Sequence, residues 1–276
     1  MATPNEQAVR EQIERQEGHK DDALALALLL IALLDESEPQ VRIIIESHLR
    51  LLLAPDVQLS SAAVQNNIAA MRQEIAAVRT QAFARVRERL EAELGILVDN
   101  EWDWLVDLYQ RTHGLEVNRP NAEAFEQLFA QPWLGRNFDE WFTDLMVKDS
   151  SRIADEVLIG VLQGRTRTRI LQAVLGEEDL DGNNGETQRT RNVLRQIVET
   201  GLFAMIGLGK TAFSEANPLL PRDLYVAVLD NRTTAICRHY HGKVFEKGKG
   251  PHPPIHWNCR STRIPLPADG DVPNVP

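Results

Sequence analysis

Apolar residues recur every third or fourth position through most of the first two hundred residues, the spacing that lines one face of an α-helix. A first helix is predicted from about 5 to 34. Pro39 and Pro55 bracket a second amphipathic segment, VRIIIESHLRLLLA. Ser60 or Ser61 can cap the next, which runs to about 94 and is rich in Ala, Gln, Glu and Arg. Its apolar positions include Ala62, Val64, Ile68, Met71, Ile75, Val78 and Phe83, a pattern that suits a long helix packed closely against others. Residues 97–113 continue as a helix bearing Trp102, Trp104, Leu108 and Tyr109, and VNRPNAEAF then breaks the chain and restarts it at Pro120. Helical spacing returns over 125–164, interrupted by QPWLGRN, and again over 165–175. The stretch GEEDLDGNNGET, 176–187, has the composition of a polar surface loop. A last long helix is predicted over 190–215, ending at Asn217-Pro218.

One segment departs from one-sided patterning. ALALALLLIALL, residues 23–34, would place apolar side chains around the whole helix, so it is expected to be enclosed, by the chain's own helices or by a partner subunit. At twelve residues it is shorter than the roughly 20 needed to cross a bilayer. After Pro218 the character changes: DLYVAVLD and GKVF read as short strands, and KGKGPHPPIHWN is irregular. The expected fold is mainly α, a helical body with a small C-terminal α+β Cys/His knuckle. The expected domains are an N-terminal helical region over 1–118, a second helical part over 119–220, a β-containing Cys/His module over 221–267 and a tail over 268–276.

Charge adds a contrast. The formal net charge is -10, which argues against a protein that coats nucleic acid by bulk electrostatics. Yet 221–264 holds eight cations (Arg222, Arg232, Arg238, Lys243, Lys247, Lys249, Arg260, Arg263) against Asp223, Asp230 and Glu246, a local +5. Such a module allows contact with DNA or an acidic protein surface, although a solvated charged face is the simpler reading. The only two cysteines, Cys237 and Cys259, exclude a disulfide framework. The N-terminus shows no basic region followed by an apolar stretch, so no secretory signal is expected.

Both cysteines and four of the seven histidines, His239, His241, His252 and His256, fall within 23 residues. Thiolate and neutral imidazole match zinc's preference for four tetrahedral S/N ligands, and Cys237, His256 and Cys259 are the best three, with His241 or His239 completing the set. The pattern lacks the paired C-x-x-C of a ribbon or finger, so a metal-free knuckle of buried thiols and a Cys237–Cys259 disulfide stay open. Asp230 is placed to accept backbone N–H groups and shape the turn into Cys237, with Arg232 and Thr233 beside it. Gly242 is expected to form a hairpin turn between His241 and Lys243. Catalysis is not expected, since the local acids sit in no H-E-x-x-H or H-x-E with P-C-x-x-C arrangement. GLGKTAF lacks the spacing of a phosphate loop, and Lys210 and Thr211 read as ordinary surface residues.

The strings DNRTTAIC, HGKVF and PPIHWNCR, with helical stretches from about 130 onward, resemble the signature of the Mu protein F-like minor head proteins of tailed phages. The likeness covers about 130–266 and carries Asp230, Arg232, Thr233, Cys237, Gly242, Lys243, Pro254, His256, Cys259 and Arg260. The chain departs from that pattern in having Ser261 and Thr234 where some relatives carry further cysteines. The resemblance implies a non-enzymatic minor capsid protein of the virion, assembled in the host cytoplasm. It would act in head morphogenesis near the portal vertex, with portal or major capsid protein as partner, a homo-oligomer as a further arrangement, and packaged DNA as a contact. The competing reading is a metal-dependent DNA-binding or nuclease protein.

Overall fold

A computed structural model describes residues 2–54, 60–177, 184–268 and 271–273. Pro55, residues 178–183 of the expected loop and most of the expected tail lie outside the described residues. The described elements run α1 (Pro4–Asp35), α2 (Glu38–Leu52), α3 (Ser61–His113), α4 (Ala122–Ala130), α5 (Phe138–Leu162), α6 (Arg167–Leu175), α7 (Glu186–Glu215), β1 (Arg222–Val226), α8 (Ala235–Tyr240), β2 (Val244–Glu246) and β3 (Thr262–Leu266). The mainly α fold with a small C-terminal sheet is therefore as the pattern predicts. Among the described residues no helix is long and apolar enough to cross a membrane.

Local chemistry explains the helix starts. At α1, Thr3 Oγ1 accepts from Glu6 N while Glu6 Oε2 accepts from Thr3 N, a reciprocal capping box with Pro4 at the first helical position. Ser60, not Ser61, caps α3 by accepting from Ala63 N. Asn121 and Thr166 cap α4 and α6 in the same manner. α3 is a single helix of 53 residues that runs unbroken through Gly95, where the sequence spacing divides it in two.

The chain forms two compact units, Met1–Leu26, Glu91–Phe138 and Gln196–Pro276 in one, and Ala27–Leu90 and Asp139–Arg195 in the other. The second unit has a core of Val41, Ile45, Leu49, Met71, Ile75, Ile153, Val157, Ile170 and their neighbours. Gly160 makes close packing possible there: a Cβ at that position would lie 2.6 Å from the Ile170 side chain. One charged group is enclosed in this unit. Arg79 donates to Ser37 Oγ at 2.6 Å and Glu38 Oε1 at 2.7 Å, and pairs with Asp149 at 2.9 Å. Asp149 also accepts from Thr190 at 2.6 Å.

The first unit contains the sheet, ordered β2-β1-β3 with both pairings antiparallel. Leu224, Val226, Ile264 and Leu266 from one side of it pack with Val9 of α1. Tyr109 donates to the carbonyl of Pro265 in β3.

Two expectations are corrected. Lys210 is not a surface residue: it is 1% exposed and pairs with buried Glu101 at 3.5 Å. The helical face that carries it is turned inward, and a partner carboxylate makes the burial tolerable. Nor do the chain's own helices enclose the run 23–34 all round, so of the two expected arrangements only a partner subunit would cover its outer face. Ala23, Leu26, Ala27, Leu30 and Leu34 are buried, whereas Leu24, Leu28 and Leu29 are exposed, Leu28 by 54%. The buried positions fall three or four apart on one face, and the exposed face keeps three leucines.

Candidate metal centre

After β1 the chain reaches a turn built on Asp230. Its Oδ1 accepts from Arg232 N at 2.9 Å, and its own N–H donates to Thr233 Oγ1 at 2.8 Å. Thr233 Oγ1 in turn donates to Val228 O. Arg260 grips both carboxylate oxygens, at 2.7 and 2.8 Å. That guanidinium, with the Arg232 N–H and Thr233 hydroxyl, holds the Asp230 carboxyl well below the usual range. Asp230, Thr233 and Arg260 thus form a clasp tying the turn after β1 to the residue following Cys259. Arg232 contributes its backbone and leaves its side chain exposed.

The turn launches α8, which presents Cys237, 2% exposed. Cys259, 1% exposed, comes from the turn that leads into β3. There Asn258 adopts φ 57° and donates its N–H to Thr200 Oγ1 at 3.0 Å. Pro254 is buried in the same loop and follows Pro253 through a cis peptide bond.

The ligand atoms of Cys237, His256 and Cys259 lie within 4.8 Å of one another, a group that could hold a metal ion. The two sulfurs stand 3.8 Å apart, and His256 Nε2 is 3.1 Å from Cys237 Sγ. Two sulfurs bound at ~2.3 Å around a tetrahedral ion would sit ~3.8 Å apart, so the thiols already have the required spacing. His256 Nδ1 lies 2.7 Å from the carbonyl of Trp257. A carbonyl only accepts, so Nδ1 is the donor there and Nε2 is the ring nitrogen that faces the sulfurs. A metal-ligating histidine commonly donates from its other ring nitrogen to a carbonyl in this way.

The pair of thiols is polarised. Hydrogen bonding from Cys259, opposed by burial and reinforced by the hydroxyls of Ser261, Thr234 and Tyr225, lowers Cys237 to about 4, while the Cys259 thiol is pushed up. The two thiols are thus pushed in opposite directions, and metal binding requires the thiolate form.

His241 is placed elsewhere. Its Nδ1 accepts from Ala227 N at 3.1 Å, and it is not in the group whose ligand atoms converge. His239 meets Lys243 Nζ at 2.8 Å, and Lys243 lies over the Tyr240 ring. Gly242, at φ 77°, makes the turn from α8 into β2, so a helix and not a strand precedes it. The hairpin expected there is absent because 235–240 close helical hydrogen bonds first. Sequence spacing did not single out Thr234, Ser261, Tyr225 or the Trp257 carbonyl. Only Thr234, three residues before Cys237 at the start of α8, carried a local signal.

Four of the module's eight cations are at least partly buried, and several are engaged internally. Arg222 donates to Pro267 O, Arg238 to Asp230 O, Lys247 to Asn217 O, Arg260 to Asp230 and Arg263 to buried Asp223. Much of the local +5 therefore serves internal carbonyls and carboxylates.

No curated protein and no solved structure matches the chain. Residues 151–264 match the family model described as phage Mu protein F like protein. That stretch holds the Asp230 turn, α8 and all three converging ligands, and the family points to a phage head-related protein. The part of the chain that carries the candidate metal centre is thus similar to the phage Mu protein F like family.

Proposed function

We propose that this chain is a non-enzymatic minor structural protein of a tailed-phage head, acting in head morphogenesis at or near the portal vertex. The observation that carries the reading is the family match over 151–264. The partner in this reading is portal or major capsid protein, and the location is the virion.

The commitments of the polar residues support a structural role. Asp230, the acid a nuclease reading would use, is gripped bidentately by Arg260 and capped by a backbone N–H. We read the Cys237–His256–Cys259 group as a structural zinc site that fastens α8 to the turn before β3, because two sulfurs and a pre-oriented imidazole suit zinc over harder cations. Packed DNA would meet Arg232 and Lys249, both exposed, and such a contact weakens as salt rises.

Co-expression with the portal and major capsid proteins of the same phage, each tagged in turn, tests the proposal. Association with portal protein is expected. Association with neither, or divalent-metal-dependent DNA cleavage lost in a folded Asp230→Ala variant, overturns it.

A further inference from the structure

A tetrahedral ion held by Cys237, His256 and Cys259 has a fourth position, and among the described residues no other His, Cys, Asp or Glu places a ligand atom in the group. The nearest alternatives are already engaged, His241 by the Ala227 N–H and Asp230 by Arg260. Instead, a recess of about 10 Å³ opens beside Cys237 and His256, lined also by Arg232, Thr234, Arg260 and Ser261. That volume is roughly one water molecule's worth of probe space. Thr234 Oγ1 reaches within 3.0 Å of His256 Nε2, the atom that would bind the ion. It therefore stands where it could hydrogen-bond a ligand in the fourth position.

From this geometry we propose that the ion's fourth ligand is a single water molecule seated in the recess and exchangeable for a small anion. Closed structural zinc sites draw all four ligands from protein, and this one draws three. The inference rests on the zinc reading above. It adds that the site is coordinatively open, with Thr234 positioning the exogenous ligand and the recess admitting nothing much larger than water or a small inorganic anion.

The test is to load the full chain with one equivalent of cobalt(II) and to titrate azide while recording the ligand-field bands. A saturable band shift is expected in the natural protein and in His241→Ala. Thr234→Cys, which offers a sulfur beside Nε2, is expected to strengthen the thiolate charge-transfer band and lose the azide response. Thr234→Val provides a second readout, retaining bound cobalt while its azide titration moves to higher concentration. Bands that ignore azide while cobalt stays bound stoichiometrically, or a coordination change in His241→Ala, overturn the open position and leave the metal reading standing. Failure to take up cobalt or zinc at all overturns the metal reading, and the stoichiometry tells the two failures apart.

Discussion

The second unit and the C-terminal module solve the same problem by different means. In the second unit, thirteen apolar residues from α2, α3, α5 and α6 form one cluster, so many independent contacts share the burial. Around α8 the comparable cluster is Tyr225, Ala227, Cys237 and Cys259, with only Tyr240, Phe245 and Ile255 packed against it. Dispersed apolar burial degrades gradually when one contact is lost. A short loop fastened by a few polar atoms fails at a single atom, and the family match spans both kinds of packing, from Ile153 of the second unit's core to the module.

Four measurements test this contrast. The largest effect is expected from metal removal. A strong zinc chelator should sharply raise amide hydrogen exchange over 228–262 and leave 41–52 and 153–175 protected, because structural zinc sites contribute on the order of 10 kcal/mol. Equal deprotection of both regions would show that the module does not stand apart.

Next in size is Arg79→Ala. It strands Asp149, which is 1% exposed, and breaking a buried pair costs about 3–5 kcal/mol. Urea denaturation should show this loss, making one polar residue the exception to the second unit's tolerance.

The third effect depends on pH. Burial alone would raise Glu101, but the Lys210 charge, the His19 hydrogen bond and Arg15 reverse this and bring it to about 2. Burial disfavours the Lys210 ammonium, with Glu101 opposing. The direction at Glu101 is the firmer of the two, since three groups act on it together. A depressed carboxyl contributes stability above its unfolded value near 4.5, lost as pH falls through about 2. The first unit should therefore lose on the order of 3 kcal/mol across that window, and Glu101→Gln should flatten the acid limb of denaturation curves recorded from pH 5 to 2. The smallest effect is expected for Leu28→Gln on the exposed face of α1, within about 0.5 kcal/mol by thermal melts.

The helices were legible because their cause is local. Thr3-Pro4-x-Glu6, Ser60, Asn121 and Thr166 announce where helices start, and three-to-four spacing shows which side is buried. The convergence of Cys237, His256 and Cys259 was legible too, since His256 and Cys259 are close in sequence and Cys237 shares the cluster. The reading failed where the cause is a partner far along the chain. Nothing near Lys210 indicates that Glu101, more than a hundred positions earlier, would be buried with it. His241 was expected to complete the set as a fourth ligand. Only the fold shows that it sits at the end of α8 beside the Ala227 N–H, while the Trp257 carbonyl orients His256. Spacing cannot distinguish two histidines whose difference is which backbone group each one meets.

The cluster of Val9, Leu224, Val226, Ile264 and Leu266 joins residues about 250 positions apart. A chain emerging from the ribosome exposes Val9 and Ile13 of α1 long before Ile264 exists, for a time on the order of tens of seconds at ordinary elongation rates. Until then the stripe of α1 that meets the sheet has no partner, although the face carrying Gln12 and Arg15 can already meet Tyr109 and Glu101 of α3. The sheet itself stays incomplete until translation reaches β3.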